Sequence, residues 1–508
     1  MLELPVDQTM PEKIRADQIG LDQTTVDLSA VTQSLVASGP EIIIIIGACT
    51  ALMLSLLPNP RQNQLLAGFS VLMILLAAAM SFFLADYPQT AYAGMFAVDS
   101  FSTFFKMILY LGTALTVMMS GKYLLKEGIV QGEYYVLLLF ALVGTMIMVS
   151  ATDLLLIYIG LELQALSIYV LTGFLKADAR SNEASLKYII LGAFSSGIFL
   201  YGMSLFYGLT GTTNLSEMSS ELSNQGLSDP MLTLATLFLL VGLLFKVGAV
   251  PFHMWVPDIY QGAPSPITAY LSVASKAAAF AVIIRIFMYD LMALQPIWIV
   301  STAVIAVLTM ATGSFVALVQ KNIKRMLAYS SIAHTGFLIL GLVAGGKDGM
   351  ASIMLYLLVY TFMMVGIFAV IILLNRGSAA GEPIEDFSGL AKNHAGLAFM
   401  SLIFLFSLAG IPPTGGFFAK FYLLAALVDK GHVVLAVIAV LLSAVAAWFY
   451  LRIIMLMYVH QPVAPTELQI SPSLKVVLLI ATVGTLLSGL LPAWLLDFVA
   501  GSLPQGIG

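Results

Sequence analysis

The sequence is poor in cysteine and in charge, and both shortages exclude classes of protein. Cys49 is the only cysteine among 508 residues, so the chain has no internal disulfide and no thiolate set for zinc or an iron–sulfur cluster. It has no glycine-rich nucleotide-binding motif, and the net charge of −5 gives no reason to expect nucleic acid as a partner. Only 10% of residues are charged and 60% are hydrophobic, whereas soluble domains average about 25% charged residues. We therefore predict an all-α, polytopic membrane protein that itself holds no metal and no cofactor.

Long apolar runs define the expected architecture. Roughly fourteen runs of about 20 residues can each cross the lipid hydrocarbon as a helix. Two of them, 231–256 and 396–428, are longer than one crossing requires and contain prolines, which interrupt helices. We interpret these two as discontinuous helices 7 and 12. Residues 1–35 are polar and lack the basic start and apolar core of a signal peptide, so we expect an extension outside the bilayer.

Most lysine and arginine in the connecting loops falls on one side when the loops are numbered alternately. Positively charged loops stay on the cytoplasmic side of a membrane. The distribution therefore predicts an even number of helices, with both termini on the outer, periplasmic side.

Polar positions in the middle of spans recur along the chain. The separation of Glu162 from His334 is nearly the same as that of Lys246 from Lys420. In each case the two positions are five helices apart, and an odd offset reverses the direction of entry into the membrane. We expect an inverted repeat, as in many transporters. The predicted units are an extension (1–35), three initial helices (36–130), helices 4–8 (131–290), helices 9–13 (291–460) and a last helix with the carboxy terminus (461–508).

Five ionisable side chains fall near the middle of predicted spans: Glu162, Lys246, Lys276, His334 and Lys420. A charge at the bilayer centre costs about 2.5–3.5 kcal/mol on insertion scales, so it persists where it is paired, hydrated or used. We predict that these five side chains carry protons. The alternatives are a structural ion pair for Glu162, a lysine that reaches to the surface for Lys246, and a hydrogen-bonded core histidine for His334.

Two weaker candidates lie nearer the basic side. Lys187 is either a proton intake residue or a lysine reaching to water, and with Lys246 it is a plausible partner for Glu162. Asp258 follows the first proline break and either lines a vestibule or caps a loop.

Three segments resemble the antiporter-like membrane subunits of respiratory complex I. They are KVGAVPFHMWVPDIYQGAPSPITAYLSVASK, QKNIKRMLAYSSIAHTGF and GIPPTGGFFAKF. Relatives of this family include multisubunit Na+/H+ antiporters and membrane-bound hydrogenases. Within the family the chain is most similar to the bacterial N type, because Lys420 stands where the M type carries glutamate and no long lateral helix follows, as it does in the L type.

The resemblance implies a fold, a function and partners. The fold would be two inverted five-helix bundles, with Glu162 and Lys246 as an acid–base pair and Lys276, His334 and Lys420 as the onward path. The chain would be a proton-translocating subunit of NADH:quinone oxidoreductase in the bacterial inner membrane, beside M-, K- and J-type neighbours. Partner subunits would hold NADH, FMN, the iron–sulfur clusters and quinone. The rival functions are a Na+/H+ antiporter or hydrogenase subunit, and a structural spacer with a dry interior.

Overall fold

The computed structural model describes residues 28–57, 61–129, 131–223, 229–375, 382–462, 468 and 470–504. Most of the predicted extension, 1–35, therefore lies outside the described residues, and only its last part is seen, as the start of a helix.

Helices make up almost all of the described chain. In chain order they are α1 (Leu28–Ala37), α2 (Gly39–Ser55), α3 (Gln62–Leu84), α4 (Ser100–Lys126), α5 (Glu133–Ser150), α6 (Leu154–Thr172), α7 (Ala179–Thr210), α8 (Leu215–Ser223), α9 (Pro230–Val247), α10 (Trp255–Gly262), α11 (Ser265–Tyr270), α12 (Lys276–Ile283), α13 (Gln295–Leu318), α14 (Ile323–Ala344), α15 (Gly346–Leu374), α16 (Leu390–Asn393), α17 (Ala395–Ala409), α18 (Gly415–Asp429), α19 (Val433–Tyr458), α20 (Pro472–Leu490) and α21 (Pro492–Ala500). Two π-helical segments (Leu271–Ser275, Ile284–Asp290) continue α11 and α12, and two 3-10 turns occupy Met292–Leu294 and Ile384–Phe387.

One short antiparallel hairpin accompanies the helices. Its strands are β1 (Gln89–Ala91) and β2 (Phe96–Val98), and Ala91 stands opposite Phe96. The hydropathy pattern gave no indication of it, because three-residue strands have no detectable periodicity.

The described part contains 12 helices long and apolar enough to cross a membrane, counting Ser265–Asp290 as one, or up to 13 if the bent pair α1–α2 is one span. Helices α17 and α18 have 15 residues each and are too short to pass this test singly. The predicted total of fourteen would require α17 and α18 to form one further crossing, so this number stays a prediction.

Both predicted helix breaks are confirmed. Helix α9 ends before Gly248, whose φ of 76° is left-handed, and the chain re-enters a helix at α10. Helix α17 ends before Gly410, with φ 84°, and α18 follows after a short turn. A left-handed residue ends an α-helix, and glycine takes this conformation without a steric penalty. A cis proline bond lies in each break, at Val250–Pro251 and at Pro412–Pro413.

The helices of the two expected repeats correspond in order. The first set is α5, α6, α7, the broken pair α9–α10, and the helix Ser265–Asp290. The second set is α13, α14, α15, the broken pair α17–α18, and α19. In each set the broken helix is the fourth. The matching order favours a duplication, and the inverted relation between the sets stays a prediction.

Three helices form the centre of the chain. The apolar windows of Ser265–Asp290, α14 and α15 are 100%, 94% and 89% buried, whereas those of α3, α7, α13 and α19 are 28–33% buried and face outward. Side chains on the three central helices are therefore shielded from lipid, so polar groups there need partners within the protein or water.

Candidate functional site

Lys276 lies on the most deeply buried helix, immediately after the π-helical segment Leu271–Ser275. Its Nζ donates to the Ser331 carbonyl at 2.9 Å, the Ser331 hydroxyl at 2.5 Å and the Thr335 hydroxyl at 2.9 Å. These three acceptors use all the donors of an ammonium group. The amine also lies 5.4 Å from the centre of the Tyr360 ring, within range of a cation–π contact. Lys276 is thus held by neutral groups of α14 and α15 rather than by a carboxylate.

Lys246 lies in the last turn of α9, close to the break, and is 7% exposed. The neighbouring Val247 carbonyl accepts a hydrogen bond from the Thr335 hydroxyl at 3.0 Å. Thr335 also accepts from Lys276, so one hydroxyl joins the end of α9 to the next buried lysine. The expected order from Lys246 to Lys276 therefore has a physical link on α14.

Glu162 is half-buried on α6, and its Oε1 has no hydrogen-bond partner among the described residues. Glu162 forms no ion pair with Lys246 among the described residues, since such a pair would require a nitrogen–oxygen distance within 4.0 Å. Two residues further along α6, Gln164 donates to Ser275 at 3.2 Å. The two residues of the predicted acid–base pair are thus neighbours but not in contact.

The expectation that Lys187 could pair with Glu162 is wrong. The Lys187 amine lies 2.7 Å from a carboxylate oxygen of Glu183 and 2.7 Å from one of Asp258. Glu183 is one helical turn before Lys187 on α7, a spacing at which opposite charges on a helix are neighbours.

His334 lies on α14 and is 3% exposed. Its Nδ1 lies 2.6 Å from the Tyr356 hydroxyl, and its Nε2 lies 3.1 Å from the Tyr450 hydroxyl. The Tyr450 hydroxyl in turn contacts the Ser330 hydroxyl. Both ring nitrogens therefore have partners that can either donate or accept, so the imidazole can exchange tautomers without breaking its contacts.

Lys420 crosses the second break. It lies on α18, but its Nζ donates to the carbonyls of Leu408 at 3.1 Å and Ala409 at 3.0 Å, the last residues of α17. A third bond, 3.0 Å long, goes to the Ser443 hydroxyl on α19. The carboxyl end of a helix carries a partial negative charge, which favours a cation. The Phe337 ring of α14 lies 5.2 Å from the amine.

Helix α14 connects these sites. Its Ser331 and Thr335 accept hydrogen bonds from Lys276, and the ring of its Phe337 lies near the Lys420 amine. His334 lies on the same helix, between Ser331 and Phe337 in sequence. The contacts of α14 thus join Lys276, His334 and Lys420 in one buried line, which at Thr335 also reaches the backbone beside Lys246.

The sequence analysis missed the hydroxyl groups along this line. They belong to Ser330, Ser331, Thr335, Tyr260, Tyr356, Tyr450 and Ser443. Tyr356 and Tyr450 occur in apolar runs, where an aromatic side chain is typical of packing. A buried tyrosine hydroxyl needs a hydrogen-bond partner, and this requirement was the signal that could have identified them.

Asp258 joins two cations at the first break. One of its oxygens lies 2.7 Å from Lys187 of α7, and the other lies 2.8 Å from Arg325 of α14. A cavity of about 140 Å³ is lined by Lys187, Asp258 and Gln261. Asp258 thus contributes both to a small polar cavity and to a link between the two sets of helices.

Two further ion pairs lie away from this line. Lys106 of α4 lies 2.7 Å from Glu41 of α2, and both side chains are at most 5% exposed. Arg285 lies 3.0 Å from Asp99, which caps the start of α4. Burial raises the pKa of Asp99, but the Arg285 charge and hydrogen bonds from Ser102 outweigh it, so the pKa is lowered overall. These pairs tie α4 to its neighbours.

In the described ranges no group of three or more His, Cys, Asp or Glu side chains could hold a metal ion.

Comparisons with known proteins agree with one another. Residues 151–446 match the family model described as NADH:quinone oxidoreductase/Mrp antiporter, TM. A protein of Rhizobium meliloti named NADH-quinone oxidoreductase subunit N 2 is 58% identical over 468 residues, which cover 92% of this chain and 97% of that protein.

Solved structures extend this similarity. A chain of respiratory complex I from Thermus thermophilus with bound aureothin matches with a TM-score of 0.78 and 32% identity, covering 90% of this chain and 98% of that one. A chain of the Mrp complex from Dietzia sp. matches with a TM-score of 0.79, covering 92% of this chain and 97% of that one, at 22% identity, which indicates a shared fold alone.

Proposed function

The chain belongs to the family of membrane subunits shared by NADH:quinone oxidoreductases and Mrp antiporters, and we propose that it conducts protons through the buried line of lysines described above. It is a proton-translocating membrane subunit of an NADH:quinone oxidoreductase and acts as part of that translocase. The similarity to the Mrp complex is more distant, so the antiporter function is not favoured.

The observation that carries the proposal is the set of hydrogen-bond partners around Lys276. Hydroxyl groups accept a bond from an ammonium and donate one to a neutral amine, whereas a carboxylate stabilises the charged form only. Ser331 and Thr335 supply two such hydroxyls. Lys276 can therefore lose and regain a proton without leaving its partners unsatisfied.

The proposed path has one direction along α14. A rearrangement transmitted from the quinone site moves charge near Glu162, and this weakens the hold on the proton at Lys246. The proton passes to Lys276 beside Thr335, then to His334 between its two tyrosine hydroxyls. Lys420, held by the carbonyl ends of α17, controls release on the outer side. Within the described part of the chain the Oε1 of Gln164 has no hydrogen-bond partner, and the Gln164 amide nitrogen donates to Ser275, so water can complete the first step there.

Lys187 and Asp258 supply a proton intake on the basic side in this proposal. Lys187 is 42% exposed at its side chain and contacts Asp258, which faces the small polar cavity. A half-exposed amine beside a carboxylate can exchange protons with water and with the interior.

The remaining chemistry belongs to other subunits. We propose that partner subunits hold NADH, FMN, the iron–sulfur clusters and quinone, since one cysteine cannot support a cluster. The proposed neighbours are the M-, K- and J-type subunits, and both termini lie on the periplasmic side of the inner membrane.

The decisive experiment removes single members of the line within the assembled complex. Lys276→Ala and Glu162→Ala should reduce NADH-driven proton pumping in membrane vesicles, while native gels show normal assembly. Exposed Glu133, replaced by glutamine, is the control for a charge change away from the path. Normal pumping by both alanine variants would refute the assigned roles.

A further inference from the structure

A second group of polar side chains lies on the basic side, apart from Lys187 and Asp258. We call it the loading cluster: Lys126, Glu127, Lys324, Asn375 and Glu382. The Lys324 amine lies 3.4 Å from Glu382, and Asn375 donates to Glu127 at 3.4 Å. The Lys126 amine contacts the Asn375 carbonyl. These residues come from the end of α4, the start of α14, the residue after α15 and the loop before Ile384.

The position of Lys324 is unfavourable for a merely structural cation. Its side chain is 3% exposed and lies in the first turn of α14. The amino end of a helix carries a partial positive charge, which disfavours a buried cation. A buried ion pair also adds little net stability compared with apolar packing. A role of Lys324 and Glu382 in proton transfer explains this buried pair more simply than a role in stability.

Lys324 of the loading cluster lies on α14, the same helix that supplies the hydrogen-bond partners of Lys276. Lys324 and Ser331 are seven residues apart on α14 and so share one face, about 10.5 Å apart. Ser331 holds Lys276, whereas Lys324 donates to the Ala263 carbonyl at 2.7 Å, just before α11. The Tyr260 hydroxyl lies 3.2 Å from the Ser331 hydroxyl. The cluster therefore lies at the basic-side end of the path that reaches Lys276.

The cluster is also open to water. Glu127 lines a cavity of about 480 Å³ together with Gln131, Lys176, Asp178 and Arg180. Burial raises the pKa of Glu127, and Glu382 raises it further, while Lys126 and Lys324 act in the opposite direction. The Glu127 carboxyl thus holds a proton to a higher pH than an exposed glutamate does, and it faces the side from which protons are taken.

We propose that Glu127 and Glu382 share the proton that reloads Lys276, with Lys324 as the residue that positions Glu382. A proton from cavity water binds one carboxylate, and two nearby carboxylates bind one proton more readily than either alone. When Lys276 has released its proton, the shared proton moves inward and the carboxylate returns to its charged form. This inference rests on the proposed function of Lys276 and adds an intake separate from Lys187.

The test uses Glu127→Gln, Glu382→Gln and their combination in the complete complex. Glu133→Gln and Glu385→Gln are matched controls, because both remove an exposed carboxylate next to the cluster in sequence. NADH-driven pumping and NADH oxidation are measured from about pH 6 to about pH 9, a range that spans the titration of a raised carboxyl. Assembly is followed on native gels.

The double variant should pump more slowly than the controls, and the fold-loss should grow towards alkaline pH, where water supplies few protons. Lowering the pH should restore part of the rate. Lys324→Met removes a positive charge that lowers the pKa of Glu127, so its profile should shift towards higher pH, opposite to the double variant. Lys324→Arg keeps the charge and should largely restore the original profile. Should the double variant not assemble, the single variant Glu127→Gln, at the cavity wall, provides the same readout.

A pH profile that matches the controls would overturn the loading proposal, as would a uniform loss of rate at every pH. Lys276→Ala separates the two levels of inference. If that variant does not pump while the double variant behaves like the controls, only the loading site is wrong. Normal pumping by Lys276→Ala would instead remove the proposed function on which the loading site depends.

Discussion

The two broken helices place a lysine at the same kind of position by different routes. Lys246 belongs to the first half-helix, α9, and lies in its last turn. Lys420 belongs to the second half-helix, α18, and reaches back to the last carbonyls of α17. The Lys420 amine lies at the carboxyl end of α17, where the peptide dipoles favour a cation, and Lys246 stands in the last turn of α9. Lys246 thus stands before its break and Lys420 after its break, and the repeat that relates the two positions stays a prediction.

The breaks differ in what surrounds them. The first is followed by α10, whose Asp258 binds cations of α7 and α14. After the second break, α18 starts at Gly415 and carries the buried Lys420 five residues later. The first break therefore contacts cations of neighbouring helices through Asp258, whereas at the second break Lys420 of α18 binds the carbonyl end of α17. This difference is consistent with intake near the first break and release near the second.

The largest effect is expected from replacing the lysines themselves. Lys246→Ala and Lys420→Ala should each reduce pumping at least about tenfold, because a positioned proton-transfer group typically contributes about 10²-fold or more. Lys420→Arg should be nearly as inactive, since arginine does not release its proton. The measurement is quenching of a pH-sensitive dye in vesicles energised with NADH. Full activity of Lys420→Arg would show that this amine acts only as a fixed charge.

Alanine variants of Gly248 and Gly410, the glycines that follow α9 and α17, should affect folding and pumping differently. An alanine at either position costs about 1–2 kcal/mol because both are left-handed. At Gly410 the new Cβ would also lie 3.2 Å from the Lys420 amine, whereas at Gly248 it would lie 2.6 Å from Val256. Gly410→Ala should therefore lower pumping per assembled complex, and Gly248→Ala should mainly lower the assembled amount. Identical behaviour of the two variants would contradict this distinction.

A smaller difference is expected between two hydroxyls. Thr335→Val leaves the Val247 carbonyl without its donor and Lys276 with one acceptor fewer. Leaving a buried hydrogen-bonding group unsatisfied costs about 1–3 kcal/mol. Ser443→Ala removes one of three acceptors of Lys420, and two carbonyls remain. Pumping rates should fall further in Thr335→Val than in Ser443→Ala. The reverse order would place the more sensitive step at the second break.

The smallest effect is expected at Asp258. The three side chains of its ion pairs are 31–42% exposed, so Asp258→Asn should change stability by about 1 kcal/mol or less. Thermal unfolding of the purified complex should show a shift of only a few degrees, and that shift should shrink in high salt. A large loss of stability would show that this link holds the two sets of helices together.

The sequence predicted the features that follow from local chemistry. Apolar length located the helices, proline and glycine located both breaks, and the expense of burying charge located Lys276 and Lys420. It could not predict partners that come from distant segments, such as the α17 carbonyls around Lys420 or the tyrosines around His334. For Lys187 the i,i+4 spacing of Glu183 was a local signal for another partner than Glu162, whereas only the packing of α7 on α10 brings Asp258 to that amine.

The position of Glu162 bears on how stable the subunit is before it is assembled into its complex. It is near the middle of the 19-residue α6, and Leu155, Ile159 and Leu166 of the same helix are exposed. An uncovered acid at that depth would face hydrocarbon, which dissolves it poorly in either protonation state when no hydrogen-bonding group is offered. Newly made copies without a neighbour against this face should therefore be short-lived, and the amount of this subunit in a cell should follow the supply of its neighbours.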